Sequence, residues 1–172
     1  TRRLTIGRSR RNLRWKLKFG GKLSLSPFMA KTVLEGPLKK INEGETSYGS
    51  YILSAKQSLL KYTSKPLYKR INNGDGLPFQ FTDLYGKLTL KSKGGSKFSA
   101  FGFHNRDNVD YEIAEIDWKQ SGGGINFLLV PSSSPIFIKG HVNGSSFDTE
   151  FNEFITDADS VTRMSRIGGF DL

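Results

Sequence analysis

In residues 83–91 apolar and polar side chains alternate. Leu84, Gly86, Leu88 and Leu90 fall on one side of an extended backbone, and Asp83, Tyr85, Lys87, Thr89 and Lys91 on the other. A helix would scatter both sets around its circumference, whereas a strand sorts them onto opposite faces. Residues 136–143 repeat the pattern, with Ile136, Ile138, Gly140 and Val142 opposed to Phe137, Lys139, His141 and Asn143. In residues 97–104 Phe98 and Ala100 oppose Phe101 and Phe103, and the sequence assigns neither side. Segments of this kind recur between clusters of Gly, Pro, Asn, Asp and Ser, and none carries an amphipathic helical stripe. The expected fold is all-β, an antiparallel meander of about eight strands. These are placed near residues 18–26, 30–37, 47–58, 81–92, 97–104, 118–130, 136–146 and 166–172.

The connections add a second constraint. Segments 93–96 and 131–135 read as tight turns, while 59–80, 105–117 and 147–165 read as long polar loops. A membrane barrel carries short turns at one rim and long loops at the other, and a water-soluble sandwich has no reason to sort its loops in this way. Alternation alone fits a soluble sheet with one face on a core equally well, so loop asymmetry favours the barrel. On that reading Leu84, Leu88, Leu90, Ile136, Ile138 and Val142 face lipid, Tyr85, Lys87, Lys139 and His141 face the lumen, and strands 47–58, 97–104 and 136–146 rise towards the outer loops.

Composition agrees. A hydrophobic content of 36% and a mean hydropathy of -0.42 are low for a chain that must fill a large closed core. They suit strands that send only alternate side chains into lipid. No run approaches the roughly 18 apolar residues of a membrane helix, and residues 1–30 lack the apolar stretch of a secretory signal. The absence of cysteine excludes disulfides, thiolate metal sites and cysteine nucleophiles.

The formal charge of +10 is unevenly placed. Arg2, Arg3, Arg8, Arg10, Arg11, Arg14, Lys16, Lys18 and Lys22 form a basic arm without an acid; removing these nine from the 26 basic residues leaves 17 against 16 acidic. The body is therefore nearly neutral, and nucleic-acid binding through the arm ranks below the other readings.

Catalytic chemistry finds little support, and the chain reads as a non-enzyme with no cofactor. His104 and His141 are the only histidines, neither in metal-ligand spacing with acids. Glu112, Glu115 and Asp117 alternate with apolar neighbours as the wet side of a strand does. Gly122, Gly123 and Gly124 lack the following helix of a phosphate loop and read as a bulge or a point of curvature. Asn73-Gly74-Asp75-Gly76 reads as a turn, with too few acids for a calcium loop. Trp118, Tyr85, Tyr62, Tyr68 and Phe79 are candidates for an aromatic girdle, and segments 59–80 and 147–165 are the places to seek ligand contacts.

Several stretches also follow one another in a familiar order. They are Leu-Glu-Gly-Pro-Leu-Lys-Lys at 34–40, Ser-Tyr-Ile-Leu-Ser-Ala-Lys-Gln-Ser at 50–58 and Leu-Pro-Phe-Gln-Phe-Thr-Asp-Leu-Tyr-Gly-Lys at 77–87. Ala-Phe-Gly-Phe at 100–103, Ile-Ala-Glu-Ile-Asp-Trp at 113–118, Gly-Ile-Asn-Phe-Leu-Leu-Val-Pro at 124–131 and Ser-Arg-Ile-Gly-Gly-Phe-Asp-Leu at 165–172 follow. Together they resemble the early barrel strands of TonB-dependent outer-membrane receptors, in the branch that works with a surface lipoprotein. The resemblance runs from about residue 19 to 172 and leaves the arm, residues 1–18, outside the pattern.

The resemblance implies a barrel-wall segment in the outer membrane of a Gram-negative bacterium, serving energy-coupled uptake and lacking the plug domain. Its implied partners are outer-membrane lipid, an inner-membrane energy-coupling protein and the surface lipoprotein. Such a segment is part of a transmembrane barrel of about 22 strands, or closes as a small version of one. The alternative is a soluble or surface-exposed β-sheet binding module of carbohydrate-binding or adhesion type.

Overall fold

The computed structural model describes residues 18–38, 47–68, 70, 74, 76–111, 114–131, 136–156 and 159–171. Most of the basic arm, with residues 112–113, Asn73 and Asp75, lies outside the described residues.

Eight strands form one antiparallel sheet in sequence order: β1 (Gly20–Leu25), β2 (Met29–Pro37), β3 (Tyr48–Ser58), β4 (Phe79–Lys91), β5 (Lys97–Tyr111), β6 (Ala114–Leu129), β7 (Ile138–Thr156) and β8 (Asp159–Asp171). The all-β meander expected from the sequence is the fold observed. The sheet is open: among the described residues β1 and β8 each pair on one side only. A small closed barrel of these eight strands is therefore not what forms.

Three expectations are corrected. Residues 105–117 and 147–165 are not long loops. Apart from residues 112–113 and 157–158, outside the described set, they continue the strands, so that β5, β6 and β7 reach 15, 16 and 19 residues. The cause is a second alternating set, Val109, Ile116, Trp118, Phe147 and Phe151, which the register gathers on one face. Gly122–Gly124 hold no bulge, since pairing to β5 and β7 runs unbroken through them. Instead they make room for neighbours: a Cβ on Gly122 would lie 2.7 Å from the Phe103 ring, and one on Gly124 2.7 Å from the Val142 carbonyl oxygen and 3.0 Å from the Phe101 ring. The register shift that does occur is between Phe154 and Thr156.

The third correction is a helix, α1 (Leu60–Leu67), in the connection from β3 to β4. Its eight residues carry Pro66 and no apolar stripe long enough to announce a helix. Side-chain bonds hold it: Thr63 Oγ1 donates to the carbonyls of Leu59 (2.9 Å) and Pro27, and the fully buried Ser64 accepts from the Leu77 N–H at 2.7 Å. Gly74 and Gly76 have φ of 95° and 81°, the left-handed turn geometry expected of their segment.

Candidate functional site

Register through seven strand pairs fixes which side chains share a face. Leu84 stands opposite Ala55 and His104, Leu88 opposite Tyr51 and Ala100, and Leu90 opposite Gly49 and Phe98. Carried across the sheet, the pairing puts Leu23, Leu34, Leu53, Leu84, Leu88, Leu90, Phe98, Ile125, Phe127, Ile138 and Val142 on one face, the leucine face. Tyr85, Lys87, Lys139 and His141 stand on the opposite face. The two apolar sets read separately from residues 83–91 and 136–143 thus join into one band. Ile136, 66% exposed, precedes β7. The ambiguity of residues 97–104 resolves: Phe98 and Ala100 belong to the band, Phe101 and Phe103 to the opposite face.

Among the described residues the band is apolar and nothing lies over it. Leu23 is 67% exposed, Leu53 50%, Leu84 45% and Ile138 52%, and α1, tied to the end of the sheet, lies over none of them. The opposite face at the same height is mostly polar: Thr89 and Ser99 are buried, their hydroxyls 3.3 Å apart, while Tyr85, Lys87, Lys139 and His141 are exposed. Lys56 donates to Asp83 at 2.8 Å and lies 4.4 Å over the Phe81 ring, and His141 Nε2 is 3.5 Å from Asp171.

Further along β5, β6 and β7 the two faces exchange character. Past His104, whose Nδ1 is 2.7 Å from Ser121 Oγ, the leucine face carries Arg106, Lys119 and Asp148, then Asn108, Asp117 and Glu150. The opposite face there gathers Phe79, Val109, Ile116 and Phe151 in one row and Phe81 and Trp118 in the next, with Val109 buried. Phe79, Tyr85 and Trp118 therefore stand away from the band and do not gird it, because their strand parity is odd relative to Leu84. Tyr62 lies in α1, with Tyr68 just past its end.

The edge of the band crosses the sheet obliquely. Leu25 of β1 shares a row with Ala30, Gln57, Thr82 and Arg106, whereas Val142, the last large apolar member on β7, shares one with Ile125, Ala100 and Leu88. Relative to the ladder the edge descends by about one residue per strand, counted on the ~3.4 Å rise of a strand.

Beyond the band Arg106, Asp117, Lys119, Asp148 and Arg166 are paired. Arg106 donates to Asp117 Oδ2 from Nε at 3.0 Å and from an Nη at 2.5 Å, Lys119 Nζ lies 3.5 Å from Asp117 Oδ1, and Arg166 Nε donates to Asp148. Burial disfavours the Asp117 carboxylate, but the bond and charge of Arg106, helped by Lys119, outweigh it and hold the carboxyl below its usual range. Asp107, on the opposite face, is raised by burial and by the Asp83 carboxylate against donation from Trp118. Among the described residues no group of three or more His, Cys, Asp or Glu is placed to hold a metal ion.

Compared with known proteins, the chain matches no family model, no curated protein and no solved structure.

Proposed function

We propose that this sheet is a segment of barrel wall in a bacterial outer membrane, contributing to energy-coupled uptake in the manner of the TonB-dependent receptors its motifs resemble. One observation carries the reading. Within single strands one face is oily over one half and charged over the other, while the reverse face changes in the opposite sense.

Water-soluble sheets put apolar residues on the covered face throughout. An outward apolar band backed by a polar interior is the arrangement of a membrane barrel, whose strands leave the bilayer as ordinary protein. The band spans residues 84–90 of β4, 125–129 of β6 and 138–142 of β7, up to ~24 Å of path, within strands of 13, 16 and 19 residues that have the ~9–11 needed to cross. Its oblique edge fits as well: strands tilted by ~40° and spaced ~4.8 Å apart cross a level slab with an offset of about one residue each. The unpaired edges of β1 and β8 present N–H and C=O groups that hydrocarbon cannot solvate, so in a bilayer further strands must pair with them. On this reading the opposite face, with Tyr85, Lys87, Lys139 and His141, lines the lumen, and the partners are outer-membrane lipid, an inner-membrane energy-coupling protein and a surface lipoprotein.

Because the chain has no cysteine, single cysteines report position without background. A polarity-sensitive fluorophore on Leu88→Cys or Val142→Cys is expected to emit as in hydrocarbon and to be quenched by nitroxide lipids after refolding with vesicles. The same label on Lys87→Cys, His141→Cys or Glu150→Cys should stay aqueous. A chain monodisperse in plain buffer, with all five labels alike in the presence of lipid, would sink the reading and favour the soluble binding module.

A further inference from the structure

We infer that the face opposite the band, in the half nearest the turn at 92–96, is a binding site for single-stranded nucleic acid. The inference goes beyond the barrel reading and needs only the sheet. Lys91, Lys97 and Lys139 share one row of the ladder beside that turn, and Lys87 stands two rows further in. Among the described residues none of the four has a carboxylate partner, whereas Lys56, Arg106, Lys119 and Arg166 farther along the sheet are all paired. Acids are scarce there. In the rows from Tyr85 to Lys91 this face holds Asp171, beside His141, and Glu35, two strands beyond Lys87. The four ammonium groups rise from backbone positions within ~20 Å of one another, counted on ~4.8 Å between strands and ~3.4 Å per residue. Like charges gathered so closely favour a polyanion.

The same half holds exposed rings. Phe101 and Phe103, on alternate residues of β5 and so ~7 Å apart, lean across β6, where Gly122 and Gly124 leave room for them. Both line a cavity of about 600 Å³ together with Asn126, Asn143, Ser145 and Asp171. Its far side is open at Gly169, where a Cβ would meet nothing within 4 Å. Lys87 stands opposite Phe101 in the ladder, and Tyr85, 39% exposed, stands opposite Phe103.

Charge alone would suit any polyanion, and rings alone any apolar ligand. A single nucleic-acid strand meets both requirements in one polymer: its bases stack on aromatic rings, amide side chains answer the base edges, and lysines take the phosphates. Sheets that read single strands present two or three aromatic side chains on one face in this way. Phe101 and Phe103 on one strand with Tyr85 on the next give that arrangement, and Asn126 and Asn143 supply the amides beside it. An acidic peptide would engage the lysines and leave the rings without a role, and an acidic polysaccharide has no planar ring to stack on them.

The test is fluorescence anisotropy of the full chain, refolded in a neutral detergent, with a labelled oligothymidylate of about ten nucleotides. The variant K87Q/K91Q/K97Q/K139Q should lower the slope of log affinity against log salt by about 3, at ~0.7 per phosphate contact. F101L/F103L should weaken binding roughly tenfold or more and leave that slope unchanged, since the rings stack bases and carry no charge. K119Q/R166Q, which removes two cations from the leucine face, should match the wild type. Binding that none of these variants changes, as the basic arm alone would give, overturns the inference. Sensitivity to the lysines without sensitivity to the rings overturns it too, as does displacement by polygalacturonate or polyglutamate at the same charge concentration as by unlabelled oligothymidylate. Either result assigns the lysines to an acidic polymer of another kind. No measurable binding also overturns it. All of these outcomes leave the barrel reading to the labelled cysteines, because the chain is held in detergent throughout.

Discussion

Ile138 and Glu150 stand on the same face of the same strand, and their surroundings differ in kind. Around Ile138 that face is Ile125, Leu129 and Val142, exposed, with Phe127 half-buried; around Glu150 it is Lys119, Asp117, Asp148 and Arg166, held in ion pairs. On the reverse of the sheet the order is exchanged, from His141, Asn143 and Asn126 beside the band to Phe151, Ile116 and Val109 beyond it. The backbone ladder is continuous through the change, so hydrogen bonding does not distinguish the halves. What differs is the chemistry of the side chains that each half presents.

The comparison breaks most readily with a charge. Leu88→Arg, in the middle of the band, should destabilise the chain folded in vesicles by ~2–4 kcal/mol, the cost of Arg near a bilayer midplane. Thr162→Arg, on the same face in the charged half, should change stability little. Urea titrations followed by circular dichroism measure both, and equal effects at the two positions would mean that the halves face the same medium.

A second test sharpens the boundary. Gly124 and Gly169 sit near the change of character, one in an interior strand and one in β8 at the edge. A Cβ on Gly124 would meet the Val142 carbonyl oxygen at 2.7 Å and the Asn143 Cβ at 2.8 Å, whereas one on Gly169 meets nothing within 4 Å. Backbone cannot swing aside as a side chain can, so Gly124→Ala should cost ~1–3 kcal/mol by overpacking. Gly169→Ala should be neutral or slightly stabilising in the same titration, because it only restricts the unfolded chain.

The same change of character explains which parts of the fold were readable in the sequence. Residues 83–91 and 138–143 lie within the band, where one parity is oily and the other wet, and strands are found there as alternation places them, with Ile136 and Phe137 just before β7. Residues 105–117 and 147–165 looked like loops because the parity set by Ala100 or Val142 runs into charges there. The apolar signal continues on the other parity, in Val109, Ile116, Phe147 and Phe151, and only a scan that let the faces exchange would find it. Residues 97–104 were ambiguous because Phe101 and Phe103 lie across from Gly122 and Gly124 and are apolar for a local packing reason. The row of Arg106, Lys119, Asp148 and Arg166 could not be read at all, since members distant in sequence become neighbours only once register is fixed.

The smallest expected effect lies within the charged half and carries a sign. Asp117 is held below the ordinary carboxylate value of 3.8 by its bonds to Arg106 and by Lys119, despite burial. A carboxyl whose folded value is depressed contributes stability above its unfolded value, and that contribution disappears as pH falls through the folded one. Asp117→Asn should therefore cost ~1 kcal/mol at neutral pH, in keeping with one well-oriented, partly exposed Arg–carboxylate pair. The cost should shrink as pH drops below 4, where the wild type loses the same interaction. Arg166→Gln removes a pair whose arginine is 82% exposed and should leave the curve unchanged. A loss for Asp117→Asn that stays constant down to acid pH would mean that the side chain holds the extension by shape and not by charge. The ordered pairs at the foot of the extension would then be a consequence of strand register alone.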